Sequence, residues 1–206
     1  MKTNEIVDQY LKGLEERLSA EDKEQFSYTY GATATQLESL KEHFPDCPDA
    51  LLQLLSRVNG TYWQEYGDKK VVVLILGSDV YEYPYYLKSI AQILEKNTFK
   101  QSIHEMYAGY LDEFPDLIGT GINPDLNMSR WLCFSDCMNN GGTSRLFLDF
   151  DPAPGGTKGQ VVRFLHDPDS FKVIATSFEE YLQKLMEHDY DFIQPEEEDD
   201  DDVLST

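Results

Sequence analysis

The stretch 143–176 constrains this chain more than any other. Residues 145–150, Arg-Leu-Phe-Leu-Asp-Phe, send side chains alternately to two faces, and 151–159, Asp-Pro-Ala-Pro-Gly-Gly-Thr-Lys-Gly, stop the alternation. Pro152 and Pro154 cannot donate to a ladder, while the glycines that follow admit backbone angles closed to other residues. A second strand at 160–165 and a short third near 172–176 complete the pattern, which predicts an antiparallel hairpin with a wide, ordered loop. The glycines do not form a phosphate cradle. A P-loop needs Gly-x-x-x-x-Gly-Lys followed by Ser or Thr, and Lys158 is followed by Gly159.

Helical periodicity surrounds this hairpin. Ile6, Tyr10, Leu11, Leu14 and Leu18 form a stripe after a possible N-cap at Thr3. Thr33 and Gln36 have capping-box spacing ahead of Leu37, Leu40 and Phe44, and Pro45 ends that run. Pro48 suits a first helical turn before Leu51, Leu52, Leu55 and Val58, with Asn59-Gly60 as a left-handed stop. Ser177 and Glu180 open the clearest amphipathic helix, carrying Phe178, Tyr181, Leu182, Leu185 and Met186. Helices are also predicted after Pro84, through Leu87, Ile90, Ala91 and Leu94, and over 98–111, through Ile103, Met106, Tyr107 and Tyr110. Residues 19–30 read as an extended lead-in. The run 71–76, Val-Val-Val-Leu-Ile-Leu, reads as a strand buried on both faces at the centre of a sheet, and 117–122 and 131–134 read as short strands. The residues alone thus describe a mixed α/β domain without a legible chemistry.

Composition narrows the class. A chain of 206 residues forms one domain that buries about 70% of its unfolded surface without cross-links. Cys47, Cys133 and Cys137 match no disulfide framework or zinc ribbon, and the N-terminal residues carry no apolar signal region, so a cytoplasmic location is expected. No stretch reaches the length of apolar sequence that spans a bilayer. A net charge of −21 disfavours nucleic acid and anionic membranes as partners and favours a basic protein.

Several motifs together resemble one known family. Trp131, the run Asp149-Phe150-Asp151-Pro152-Ala153-Pro154-Gly155-Gly156-Thr157-Lys158-Gly159-Gln160-Val161-Val162, and Ser177-Phe178-Glu179-Glu180-Tyr181-Leu182 are similar to the C-terminal half of the SMI1/KNR4 (SUKH) family. Gly31-Ala32-Thr33 and the helix from Pro48 to Val58-Asn59-Gly60 resemble its N-terminal half, so the likeness spans residues 30 to 186. The sequence departs from the family pattern at Trp131-Leu132-Cys133-Phe134, which lacks the proline often found after that tryptophan, and over a longer 97–128. The resemblance implies an α+β fold, a mostly antiparallel sheet of five or six strands with packed helices, which the strand pairs and capping boxes also permit. The expected organisation is an N-terminal helix and lead-in at 1–29, the SMI1/KNR4-like domain at 30–188, and an acidic, disordered tail at 189–206.

The resemblance also implies a binding protein rather than an enzyme. The reading taken is an immunity protein that neutralises a polymorphic toxin, with a basic nuclease domain as the partner that suits the acidity. The alternatives are a scaffold of the cell-wall or signalling type and, more remotely, a hydrolase using Asp149, Asp151 and His166. Partner contacts are assigned to Tyr62, Trp63, Tyr81, Tyr83, Tyr85, Asp149 and Asp151, because aromatic anchors dominate interfaces. No cofactor or metal is expected. Asp149-x-Asp151 begins like a calcium loop, but Pro154 stands where glycine is required and Gln160 where a bidentate glutamate is required. Cys133-x-x-x-Cys137 has no third or fourth ligand nearby, and none of His43, His104, His166 and His188 sits in a nucleophile motif.

Hydrophobic periodicity ends at Phe192 and Ile193, and the run 196–202 is wholly acidic. Truncation after Gln194 is therefore expected to move the thermal midpoint by no more than a few degrees. A larger drop in a melting experiment shows that the tail packs on the body.

Overall fold

The computed structural model describes residues 3–95, 99–139 and 142–193. The acidic run 196–202 lies outside these residues. The predicted hairpin forms: β5 (Gly142–Asp149) pairs antiparallel with β6 (Gln160–Leu165), and β6 pairs with β7 (Ser170–Ala175). On its other side β5 pairs with β4 (Leu132–Asn139), which meets a two-residue edge strand, β3 (Tyr86–Leu87). The sheet is therefore five-stranded, antiparallel throughout, in the order β3-β4-β5-β6-β7. A separate hairpin joins β1 (Gln64–Tyr66) to β2 (Lys69–Val71).

Both faces of the sheet are covered. One face buries Leu132, Phe134, Leu146, Leu148 and Val161 in a core shared with three helices: α7 (Phe178–Glu187) lies on β6 and β7, and α1 (Thr3–Arg17) and α4 (Asp49–Leu55) pack on α7 and on each other. The i, i+4 stripe of α1 buries Ile6, Tyr10, Leu14 and Leu18, and α7 buries Phe178, Tyr181, Leu182 and Leu185. The other face packs Cys133, Phe147, Val162, Phe164 and Phe171 under a largely irregular cover that includes Ile103, Leu117, Ile122, Met128 and Trp131. Every residue of β6 is buried, as expected of a strand covered on both sides.

Several expected elements take other forms. Residues 19–30 contain a helix, α2 (Ala20–Phe26), because the Ser19 hydroxyl accepts from the Asp22 N–H and caps it. The run 71–76 is not the sheet centre, a position held by β5; only Val71 lies in a strand, and Leu76 makes a single bridge to Tyr85. The helix after Pro84 begins only at Ile90, as α5 (Ile90–Leu94), because Tyr86 and Leu87 are drawn into the sheet edge. A capping box opens α5, with the Ser89 hydroxyl accepting from the Gln92 N–H. The helix expected over 98–111 is one turn, α6 (Ile103–Met106), and 117–122 forms no strand beyond a bridge from Ile118 to Phe171. The capping box at Thr33 opens α3 (Ala34–His43) as predicted.

The stretch expected as tail from residue 189 carries packed side chains within its described part, 189–193. Tyr190 and Phe192 are buried, and the Tyr190 hydroxyl donates to the Tyr10 carbonyl at 2.8 Å, so the packed chain continues to the last described residues. Helix α1, assigned at the sequence level to a lead-in, shares the same core as the domain.

The irregular segment 77–80 is tied to the sheet by charge. Arg163, on β6 and 4% exposed, donates to both carboxylate oxygens of Asp79 at 2.6 and 3.3 Å and to the Ser170 hydroxyl at 3.0 Å; Lys172 reaches Asp79 at 2.7 Å. Burial pushes the Asp79 carboxyl up, but the hydrogen bonds and charges of Arg163 and Lys172 outweigh it and leave the group below its ordinary value. Its contribution to stability is therefore present above the ordinary carboxylate range and is lost as pH falls through the depressed value. Asp79→Ala leaves a buried guanidinium unpaired and is expected to cost about 3 kcal/mol in urea unfolding. The double variant Asp79→Ala/Arg163→Leu is expected to recover much of that loss.

Candidate functional site

The residues singled out in the sequence separate into three groups. Asp149 is fully buried, and its carboxylate accepts from the Asp151 N–H at 2.9 Å and from the Gln160 side-chain amide at 3.0 Å. Gln160, 1% exposed, also donates to the Gly121 carbonyl at 2.9 Å and accepts from the Thr157 N–H at 2.9 Å. One buried amide thus clamps β5, the 150–159 loop and the 119–122 segment together. The fit is close at Gly156, where an added Cβ would lie 2.4 Å from the Gly121 carbonyl oxygen. Asp149 is therefore a structural group beyond the reach of a partner, while Asp151 is part-exposed and paired with Arg130 at 2.6 Å.

The hydrolase constellation is not assembled. The hairpin pairs as expected, but its register sets Asp149 opposite Gln160, whereas His166 follows the far end of β6 and donates its N–H to the Ser144 hydroxyl. Five strand steps at about 3.3 Å each separate the two ends. His166 faces Asp169 instead, at 3.2 Å. No group of three or more His, Cys, Asp or Glu arranged to hold a metal occurs among the described residues.

The aromatic residues divide between surface and core. Asn59-Gly60-Thr61 positions the first stretch: the Asn59 side chain accepts from the Ile90 N–H, and Thr61 exchanges hydrogen bonds with Leu87 through its backbone and hydroxyl. Gly60, at φ 92°, passes so near Ser89 that an added Cβ would lie 2.5 Å from its nitrogen. Tyr62 is held against Tyr86, ring centroids 5.4 Å apart, and Trp63 stands 55% exposed with the Lys70 ammonium 4.5 Å from its ring. Trp63 also has φ 51°, a costly conformation for a bulky side chain. Tyr81 is exposed and Tyr83 half-buried, but Tyr85 is fully buried and cannot serve as a contact.

Beside Tyr62 lies a polar cleft that the sequence reading missed. Its volume is about 450 Å³, and Lys88, Gln92, Trp131, Cys133, Asp136 and Arg145 are among its lining residues. A β-bulge between Cys133 and Ser135 sets Asp136 opposite Arg145 and Cys133 opposite Phe147, so two residues three apart share a face that regular alternation would divide. Asp136 lies 3.5 Å from Arg145 and 3.7 Å from Lys88. Burial raises its carboxyl, against the lowering effect of both cations. The Cys133 thiol sits 3.9 Å from the Lys88 ammonium, yet burial outweighs the nearby cations and pushes it up, so it remains protonated at neutral pH. The cleft thus holds a compensated ion cluster and an unactivated thiol.

These features define an α+β domain that is strongly acidic and locally aromatic at its surface. The chain belongs to the SMI1/KNR4 family (SUKH-1), whose family model matches residues 31–184. A search of curated proteins returned no match. Membership is consistent with a protein-interaction domain of the immunity type.

The clamp generates a pH test. Burial raises the Asp149 carboxyl, against lowering by the Asp151 N–H, Gln160 and Trp131. A carboxyl raised on folding contributes fully below its unfolded value, and that contribution is lost as pH rises through the folded value. Asp149→Asn is expected to remove this loss, so its urea midpoint falls less than that of the parent chain as pH rises from the ordinary carboxylate range towards neutrality. Asp149→Ala, which strands the Gln160 amide, is expected to cost about 2 kcal/mol at pH below the ordinary carboxylate range, and less as pH rises and the parent loses its own contribution.

Proposed function

We propose that this chain is a non-enzymatic binding protein that neutralises a basic toxin domain in the cytoplasm. The observation that carries this reading is a net charge of −21 on a SUKH-1 chain. A toxin domain that acts on nucleic acid presents cations to its substrate, and an acidic antagonist gains both steering and competition for that surface. Three unpaired, buried thiols, Cys47, Cys133 and Cys137, accord with a reducing compartment. The exposed aromatics Trp63 and Tyr81 and the half-buried Tyr62 and Tyr83 supply apolar contact area that charge alone lacks.

Co-expression with the product of a neighbouring gene that encodes a basic toxin domain, followed by rate measurements, tests the reading. Between about 10 mM and 150 mM salt the Debye length falls from about 30 Å to about 8 Å. Association is expected to slow by about tenfold over that range while dissociation changes by less than about threefold. Toxin activity is expected to fall in proportion to complex formed. A chain that captures no such domain and instead retains a host signalling or cell-wall protein belongs to the scaffold class. Turnover of a small substrate by the purified chain moves it to the enzymes.

A further inference from the structure

We infer that the groove between residues 107–117 and the β6–β7 turn is the seat of the partner's anchoring segment, a basic stretch of polypeptide carrying an aromatic or large aliphatic side chain. The inference rests on the binding-protein reading and gives it a location distinct from the Tyr62 and Tyr81 stretches. The groove has a volume of about 600 Å³. Tyr107, Tyr110, Phe114 and Pro115 line one side and Pro168 the other.

Local structure explains why these rings face solvent. A capping box, with the Ser102 hydroxyl accepting from the Glu105 N–H, starts α6, but the helix ends at Met106. Gly109, at φ 91°, turns the chain away from the helical path, and Pro115 opens a 3-10 turn at Pro115–Leu117. Continuing the helix would have carried Tyr110 onto the buried stripe with Ile103 and Tyr107. Instead Tyr110 is 60% and Phe114 55% exposed, two of the five large apolar side chains so exposed among the described residues. The floor is firm: the Tyr107 ring packs edge-on against Phe171 of β7 at 6.1 Å, and its hydroxyl donates to Asp169. Leu117, at the inner end, belongs to the core of that face.

Charge selects the occupant. The lining includes Glu113, Asp116 and Asp169 and no lysine or arginine. Glu113 and Asp116 make no ion pair with any described residue. An apolar trough rimmed by uncompensated carboxylates complements a segment with a Phe or Leu side chain flanked by lysine or arginine. It repels an acidic one. The absence of a cationic group or of a convergent set of hydrogen-bond donors disfavours a phosphorylated or otherwise anionic ligand.

The test is an NMR titration of the isotopically labelled full chain with a capped hexapeptide that alternates lysine with phenylalanine and leucine. Saturable shift changes are expected at residues 107–117 and 168–170. Replacing lysine by glutamate, or the apolar residues by alanine, is expected to abolish saturation. Phe114→Ala, at an exposed position that leaves the core intact, is expected to weaken binding about tenfold, and Glu113→Gln/Asp116→Asn about threefold. Shift changes spread evenly over the acidic surface, indifferent to Phe114→Ala, or no saturable change at all, overturn the groove. A toxin complex that forms normally with Phe114→Ala also overturns the groove but leaves the immunity reading intact. Conversely, peptide binding here without any toxin complex overturns the immunity reading and leaves the groove.

Discussion

A buried backbone polar group without a partner costs about 1–3 kcal/mol, and the apolar run after β2 threads the core without belonging to the sheet. Its hydrogen bonds must therefore come from elsewhere. Tyr10 of α1 donates its hydroxyl to the Ile75 carbonyl, and Tyr181 of α7 donates to the Gly77 carbonyl at 2.7 Å. Gln25 of α2 accepts from the Val72 N–H at 3.1 Å, and the Tyr85 carbonyl accepts from Ile75 and Leu76, each at 3.0 Å. This one constraint ties the first two helices, the last helix and the lead into the sheet edge to a single segment. It also explains why α1 is part of the domain rather than an appendage. Burial pushes both tyrosine phenols well above their ordinary values, which favours the protonated, donating form.

The same economy sets which buried polar groups are engaged and where surface is available. Most buried charged and amide side chains have been spent on architecture: Arg163 holds Asp79, Gln160 joins three segments to Asp149, and Asp136 sits between Lys88 and Arg145. A nucleophile or acid needs a group left poised, and these are compensated. Among the described residues, the aromatic side chains most exposed stand on segments the sheet and helices do not recruit: Tyr30 between α2 and α3, Trp63 just before β1, Tyr81 in the turn before β3, and Tyr110 and Phe114 in the irregular cover after α6. A binding role follows the same logic, because recognition asks for desolvatable area on a rigid base rather than for an activated group.

How much of this was legible depended on whether the signal was local. The hairpin at 145–165 and the capping box at Thr33 form as the residues predict; at Ser177 only the hydroxyl half of the box forms, since the Glu180 carboxylate turns to Thr176, and α4 ends at Leu55, before Asn59-Gly60, whose hydrogen bonds run to the remote Tyr30 and Ile90. The Asp-x-Asp-Pro-x-Pro-Gly-Gly run pointed to the right family, but nothing in it showed that Asp149 is buried at the hairpin's base while Asp151 stays part-exposed. Residues 71–76 misled because hydrophobic continuity reports burial on all sides and is silent about which partner takes the backbone groups.

The amino-acid sequence by itself determined the α+β class, the family, the order of the main helices and strands, and the net acidity. Only the tertiary structure decided which aromatics face solvent: Tyr85 bridges to Leu76 and is buried, whereas Tyr110 lies beyond the end of α6 and is exposed. It also decided which polar residues meet. Asp79 with Arg163, Tyr10 with Ile75 and Asp136 with Lys88 are pairs distant in the chain. The bulge in β4 that turns Cys133 and Asp136 to one face depends on how β5 packs beneath it. Periodicity records the environment of a residue averaged over its neighbours in sequence. A site is a coincidence of residues remote in sequence, and that coincidence is set by register and packing, which exist only once the chain has closed on itself.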